Sequence, residues 1–315
     1  MSSPSLWAGM GQALNVTLPI CLLIALGAVL RWRRMIDAAF IATASKLVFT
    51  LSMPVLIFFN VLTIHADTIN VALLIYLALA TIASLVLTWL WGCWRATPAN
   101  RATFIQGAFR GNGAVLGLAF ATGMYGRHGV SLGALMIAVL IPLYNGLSVV
   151  VLTLYSGQRV SVLHLVGKVL GNPLIIGVIA ALVWRLTGLG MPRWAASTGD
   201  TLGHLTLPLA LLCIGGSLSL AELRNSGRET IEATLLKIVI IPLLLTLGGW
   251  LCGFRHAELG TLFLYFAAPS ATAGFVMAKT MGGNGELAAS IIAFTTLGAM
   301  VTVSIGLAIL TLLPI

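Results

Sequence analysis

Apolar residues occur in long runs separated by short polar segments along the whole chain. Runs of about 20 residues occupy 11–31, 39–63, 69–91, 102–124, 130–153, 163–185, 198–220, 230–252, 258–279 and 286–312. A helix rises about 1.5 Å per residue, so each run is long enough to cross the roughly 30 Å hydrocarbon core of a bilayer. The pattern predicts ten transmembrane helices, numbered here as spans one to ten, in one all-helical membrane domain.

The composition supports this class. Hydrophobic residues make up 59% of the chain and charged residues 8%, whereas a soluble domain has about 25% charged residues. So few charges do not cover a water-facing surface, and lipid is therefore the expected solvent. The net charge of +9 is spread between the apolar runs without forming one basic patch, which argues against nucleic acid as a partner.

Lysine and arginine in the loops predict the orientation. If the N-terminus lies outside, nine basic residues lie in loops or span ends on the inner side of the membrane. They are Arg31, Arg33, Arg34, Arg95, Arg101, Arg159, Lys168, Arg224 and Arg228. The outside group is then Arg127, Arg185, Arg193 and Arg255. Since basic residues concentrate in cytoplasmic loops, this distribution predicts that both termini lie outside.

Several residues recur at an offset of about half the chain length. The pairs are Pro19 and Pro173, Arg31 and Arg185, and Pro54 and Pro208, each 154 residues apart. The offset divides the chain into halves of five spans, 1–157 and 158–315. Because five is odd, the second half is predicted to be inverted in the membrane, an arrangement typical of secondary transporters.

Spans four and nine contain helix-breaking residues at corresponding depths. The segments are Arg110-Gly111-Asn112-Gly113 and Pro269-Ser270-Ala271-Thr272. Both lie roughly 12–16 Å into their spans, near the middle of a bilayer. Broken helices at this depth leave backbone groups free to bind a substrate. The alternative is that glycine and serine only allow helices to pack closely.

Polar side chains near these breaks are candidate ligands. A charge at the bilayer centre is costly and functional by default, and the Arg110 guanidinium is suited to a carboxylate. The alternatives for Arg110 are that it extends toward the inner face or packs against another carbonyl-rich helix break. Asn112 and Asn145, the latter following Pro142 in span five, offer amide donors and acceptors.

Spans four and nine also resemble the auxin efflux carrier family, which includes plant auxin carriers and bacterial carriers for malonate and related acids. The similar segments are Pro269-Ser270-Ala271-Thr272 with Phe275-Val276-Met277-Ala278-Lys279, and Asn112 with Gly117-Leu118 and Gly123-Met124-Tyr125-Gly126. The resemblance extends over essentially the whole chain. Gly111 departs from it, since plant members place a proline before the crossover asparagine. The long cytosolic loop of many plant carriers is also missing, which suits a bacterial inner membrane.

The resemblance implies a fold related to sodium–proton antiporters and bile-acid sodium symporters. Spans one, two, six and seven would form a scaffold, and spans three to five and eight to ten a moving transport domain. Spans four and nine would cross at the substrate site. The residues implied or predicted for this site are Arg110, Gly111, Asn112, Gly113, Asn145, Pro269, Ser270, Ala271 and Thr272.

The sequence thus predicts a secondary transporter of small organic anions, auxin-like or malonate-like carboxylates, with an elevator-type mechanism. The alternative is a sodium- or proton-coupled symporter of the bile-acid type for another small solute. No nucleotide-binding P-loop, zinc-protease or serine-hydrolase motif is present, so we predict neither an enzyme nor a cofactor nor a metal site. The alternatives from other classes are an intramembrane enzyme and a receptor or scaffold protein. The sequence leaves open whether the protein forms a homodimer.

Overall fold

The computed structural model describes residues 6–63, 70–156, 167, 171–218 and 227–312, and these are almost entirely helical. The helices are α1 (Leu6–Trp32), α2 (Ala38–Leu47), α3 (Met53–Thr63), α4 (Val71–Arg95), α5 (Arg101–Phe109), α6 (Leu118–Ser156), α7 (Pro173–Leu186), α8 (Arg193–Ser217), α9 (Arg228–Leu235), α10 (Ile241–Leu251), α11 (His256–Ala267), α12 (Ala273–Thr280) and α13 (Gly285–Leu312). The prediction of an all-helical protein is confirmed.

Six helical segments of the described chain are long and apolar enough to cross a bilayer. They are Ala13–Trp32, Ala38–Leu62, Val71–Arg95, Gly113–Tyr155, Arg228–Leu251 and Gly285–Thr311. A further apolar helix, α7, has 14 residues, and α5, α11 and α12 are shorter still. That ten segments cross the membrane, and that the two halves are inverted repeats, stays a prediction.

Helix α4 exposes apolar side chains and buries hydroxyl side chains, as expected of a helix that faces lipid. Its exposed face presents Ile75, Leu79 and Leu90. Its buried face includes the hydroxyl residues Thr81 and Thr88, which bond to carbonyls one turn back in the helix. These bonds give both hydroxyls an acceptor inside the helix, which lowers the cost of burying them.

In the described part of the chain, three π-helical turns widen the helices locally. They lie at Val48–Ser52 between α2 and α3, at Gly113–Gly117 before α6, and at Leu236–Ile240 between α9 and α10. The first and third end two residues before Pro54 and Pro242. A proline has no N–H and its ring collides with the carbonyl four residues earlier, and a π turn relieves both problems.

The helices of predicted spans one, two, six and seven pack against each other. Helix α1 lies along α8, and α3 contacts both α7 and α8. The backbones of α1 and α8 come so close that a Cβ added to Gly27 or Gly215 would collide with a carbonyl of the facing helix. Small residues at such contacts let membrane helices associate through their backbones. The division into a scaffold and a moving domain remains a prediction.

The 39 residues of α6 form two helices that meet at a kink. The kink lies at Gly126, whose φ of 56° and ψ of −136° are not helical. A positive φ of this kind is readily adopted by glycine. The kink falls between predicted spans four and five, so the helix changes direction where the sequence predicts a connection.

Candidate functional site

Two helices of the structure are interrupted at the predicted positions. Helix α5 ends at Phe109, and Arg110 is extended, with φ −81° and ψ 110°. Helix α11 ends at Ala267, and Ala268 is extended as well, with φ −55° and ψ 134°. Helical geometry resumes at Gly113 and at Ala273. Each interruption therefore leaves a few residues whose backbone groups need partners outside their own helix.

The two interruptions satisfy each other. The N–H of Asn112 donates to the carbonyl of Pro269 at 2.7 Å, and the N–H of Ala271 donates to the carbonyl of Arg110 at 3.2 Å. Together these bonds form an isolated antiparallel bridge between Gly111 and Ser270. Segments far apart in sequence thus meet as a short two-stranded element, which keeps non-helical backbone satisfied away from water.

A cavity of about 220 Å³ adjoins this bridge. One wall consists of residues 110–114 and 271–273 from the two interruptions, and Tyr144 and Asn145 of α6 add polar groups. Phe49, Asn172 and Leu174, from predicted spans two and six, line it as well. A second cavity of about 110 Å³ shares Phe49, Asn112 and Thr272 with the first and is otherwise mostly aliphatic. The first cavity, called the chamber below, contains the polar groups, and the second, mostly aliphatic cavity lies beside it.

Arg110 is the charged group of the polar chamber. Its side chain is buried, and its guanidinium donates from Nη2 to Asn145 Oδ1 at 2.8 Å and from Nη1 to Ser148 Oγ at 3.2 Å. Nη1 also lies 2.8 Å from Met277 Sδ. Nε has no hydrogen-bond partner among the described residues, and no carboxylate of the described chain pairs with this cation. Arg110 is therefore a buried positive charge that lines the chamber and whose hydrogen bonds all go to neutral groups.

Helix starts add to the positive potential of the chamber. Ala273, the first residue of α12, lines it, as do Asn172 and Leu174 at the start of α7. Asn172 Oδ1 accepts from the Leu174 N–H at the start of α7, so these ends contribute the partial positive charge of the helix dipole. The arrangement favours a bound negative group near Arg110.

The structure brings most of the predicted site residues to the chamber. Those that line it are Arg110, Gly111, Asn112, Gly113, Asn145, Ala271 and Thr272. Pro269 and Ser270 are not among its lining residues. They serve the backbone bridge instead, and the Ser270 N–H donates to Thr295 Oγ1 at 3.0 Å.

Sequence reasoning missed several residues around the site. Phe49, Tyr144 and Asn172 line the chamber, and nothing in their local pattern indicates this. Lys237 lies fully buried behind the bridge. It lies within predicted span eight, where a charged residue is by itself an indication of function, so the sequence did contain a usable signal for it.

Comparison with known proteins identifies a family. A family model described as a membrane transport protein matches residues 13–307. A search of curated proteins finds no match.

Proposed function

The chain belongs to the membrane transport protein family, as its resemblance to the auxin efflux carriers predicted, and on this premise we propose that it is a secondary transporter of small organic anions. The observation that supports an anion is Arg110, a buried cation without a carboxylate partner in the described chain, beside a small cavity. Burying a charge is costly, and an opposite charge beside it offsets that cost best. A substrate carboxylate beside the guanidinium would supply that partner.

The chamber matches a single negative charge. Arg110 is the one charged side chain among its lining residues, and the other polar lining groups are neutral. A dicarboxylate would place its second charge against amides, a hydroxyl and aliphatic side chains without a cation. We therefore favour a monocarboxylate whose acid group lies at Arg110 and whose apolar part extends toward the aliphatic cavity behind Asn112.

The position of the chamber suits an elevator-type movement. Its walls come from both predicted bodies, with Phe49 and Asn172 from the scaffold spans and the interruptions in spans four and nine from the transport spans. Sliding one body past the other would carry the paired interruptions and their ligand toward the opposite side. The cavity thus lies at the boundary where such a movement would open and close access.

The proposed orientation places both termini outside, in a bacterial inner membrane. Two arginines counted as inside, Arg95 and Arg228, donate to the same carboxylate oxygen of Glu232, each at 2.7 Å. They therefore lie at the same end of the helix bundle, which supports the assignment of both to one side of the membrane but fits either orientation. Arg159, Lys168 and Arg224, also counted as inside, lie outside the described residues.

Uptake into proteoliposomes tests the proposal. Purified protein is given a panel of labelled monocarboxylates, including indole-acetate, together with malonate, malate and the neutral amide of each acid. We expect saturable uptake of at least one acid and none of its amide, since the amide offers no charge to Arg110. Equal uptake of acid and amide, or uptake of neutral solutes alone, would contradict an anion carrier. Imposed proton and sodium gradients then identify the coupling ion.

A further inference from the structure

A second cation lies behind the backbone bridge. Lys237 belongs to the π turn Leu236–Ile240, and its side chain is completely buried. None of the ion pairs formed among the described residues involves it. A charge at this depth costs at least about 2.5–3.5 kcal/mol on insertion scales. Some feature of the fold must therefore offset the burial of this ammonium.

The offsetting group is the end of helix α11. Lys237 Nζ donates to the carbonyl of Phe266 at 2.8 Å. In an uninterrupted helix this carbonyl would accept from the N–H of Ser270, four residues on. That N–H donates to Thr295 instead, so the interruption leaves the Phe266 carbonyl free. The lysine takes the place of the missing backbone donor, at the negative end of the helix dipole.

The same ammonium also lies against the other interruption. A Cβ built on Gly111 would lie 3.0 Å from Lys237 Nζ and 3.4 Å from the carbonyl oxygen of Ala268. Glycine at this position lets the ammonium and the two crossing backbones approach each other. Lys237 does not line the chamber that contains Arg110. It therefore contacts the bridge on the side away from the chamber, whereas Arg110 lies on the chamber side.

In transporters with broken helices, the C-terminal ends of half-helices commonly coordinate the coupling cation. Here a lysine of the protein lies at such an end. We infer that the Lys237 ammonium occupies the position of a coupling cation as a permanent part of the protein, so that the paired interruptions assemble without sodium. A sodium ion entering the same position would have to displace the Lys237 Nζ that already bonds to the Phe266 carbonyl. Lys237 is thus a positioning residue, which shapes the anion site through the backbone bridge.

Hydrogen exchange in lipid nanodiscs tests this inference without any substrate. The amides of residues 109–113 and 267–272 are followed in wild type, Lys237→Met and the control Lys46→Met, whose lysine is exposed on α2. We expect at least tenfold faster exchange in both segments for Lys237→Met and no change for Lys46→Met. We also expect the same wild-type exchange in sodium and choline buffers. Unchanged exchange in Lys237→Met would overturn the inference.

The sodium comparison uses wild type alone and stays decisive if Lys237→Met does not fold. Slower wild-type exchange in sodium than in choline would show that a metal cation completes the bridge, and would overturn the inference. The transport readout rests on the proposed function. If an acid is transported and its uptake falls at least tenfold without sodium, the inference fails while the proposed function survives. If no acid is transported, the proposed function fails and the exchange data still test Lys237.

Discussion

Replacing Arg110 by methionine separates the site's function from its stability. Methionine has a similar reach and no charge, so it removes the guanidinium while filling most of its volume. In the empty protein, Asn145 and Ser148 lose the donors that bond to them at 2.8 and 3.2 Å, at a cost of about 1–3 kcal/mol for each unsatisfied group. Against this, a buried cation that lacks a carboxylate partner is removed, which relieves a desolvation penalty of several kcal/mol.

These contributions oppose each other, so we expect the free energy of unfolding to change by less than about 2 kcal/mol. The bound state loses far more. A carboxylate left in the chamber without its cation costs about 3–5 kcal/mol. At about 1.4 kcal/mol per factor of ten, this weakens binding by two to four orders of magnitude.

The assay pairs two measurements on the same preparations, thermal unfolding in detergent and uptake at substrate concentrations far below KM. Arg101→Met is the matched control, because Arg101 begins the same helix and bonds to carbonyls of Gly92 and Cys93 away from the chamber. We expect Arg110→Met to unfold near the wild-type temperature and to lose at least 99% of uptake. Uptake within threefold of wild type would refute the role assigned to Arg110.

Two further predictions concern the walls of the chamber. In Gly113→Ala, the new Cβ would lie 2.8 Å from Tyr265 Cδ1. We therefore expect the free energy of unfolding, measured by heat or denaturant, to fall by about 1–3 kcal/mol. In the control Gly11→Ala nothing lies within 4 Å of the new Cβ, so stability should be unchanged or slightly higher. Because the chamber contains one cation, the monoamide of malonate should inhibit uptake of a transported acid at least tenfold better than malonate does at pH 7.5. Stronger inhibition by the malonate dianion would show that a second cation faces the ligand.

The positions of the two interruptions could be predicted from local chemistry. Gly111 and Gly113 surround an amide in one helix, and Pro269 lacks an N–H in the other, so each segment signals a break on its own. The structure ends the preceding helices at Phe109 and Ala267, close to these residues. That the two breaks bond to each other depends on contacts between segments about 160 residues apart. No local pattern encodes such contacts, and the resemblance to a family was needed to expect them.

The remaining parts of the site depend on packing that periodicity does not reveal. Phe49 and Asn172 reach the chamber because two other helices happen to flank it. Lys237 is different, since a lysine within an apolar run is visible in the sequence. Its partner is not visible, because the free carbonyl of Phe266 exists only once α11 has been interrupted and Ser270 has bonded elsewhere.

The central claim is that an organic anion binds beside the paired interruptions, and substrate protection of a cysteine at Ala273 tests it most directly. Ala273 lines the chamber and is exposed, so Ala273→Cys should disturb the packing little. In a background in which the four native cysteines are replaced by serine or alanine, its thiol reacts with a membrane-permeant maleimide. The account predicts that a transported acid slows labelling at least fivefold, with half-protection near its KM, and that Arg110→Met abolishes this protection. A labelling rate that saturating substrate leaves unchanged would contradict it.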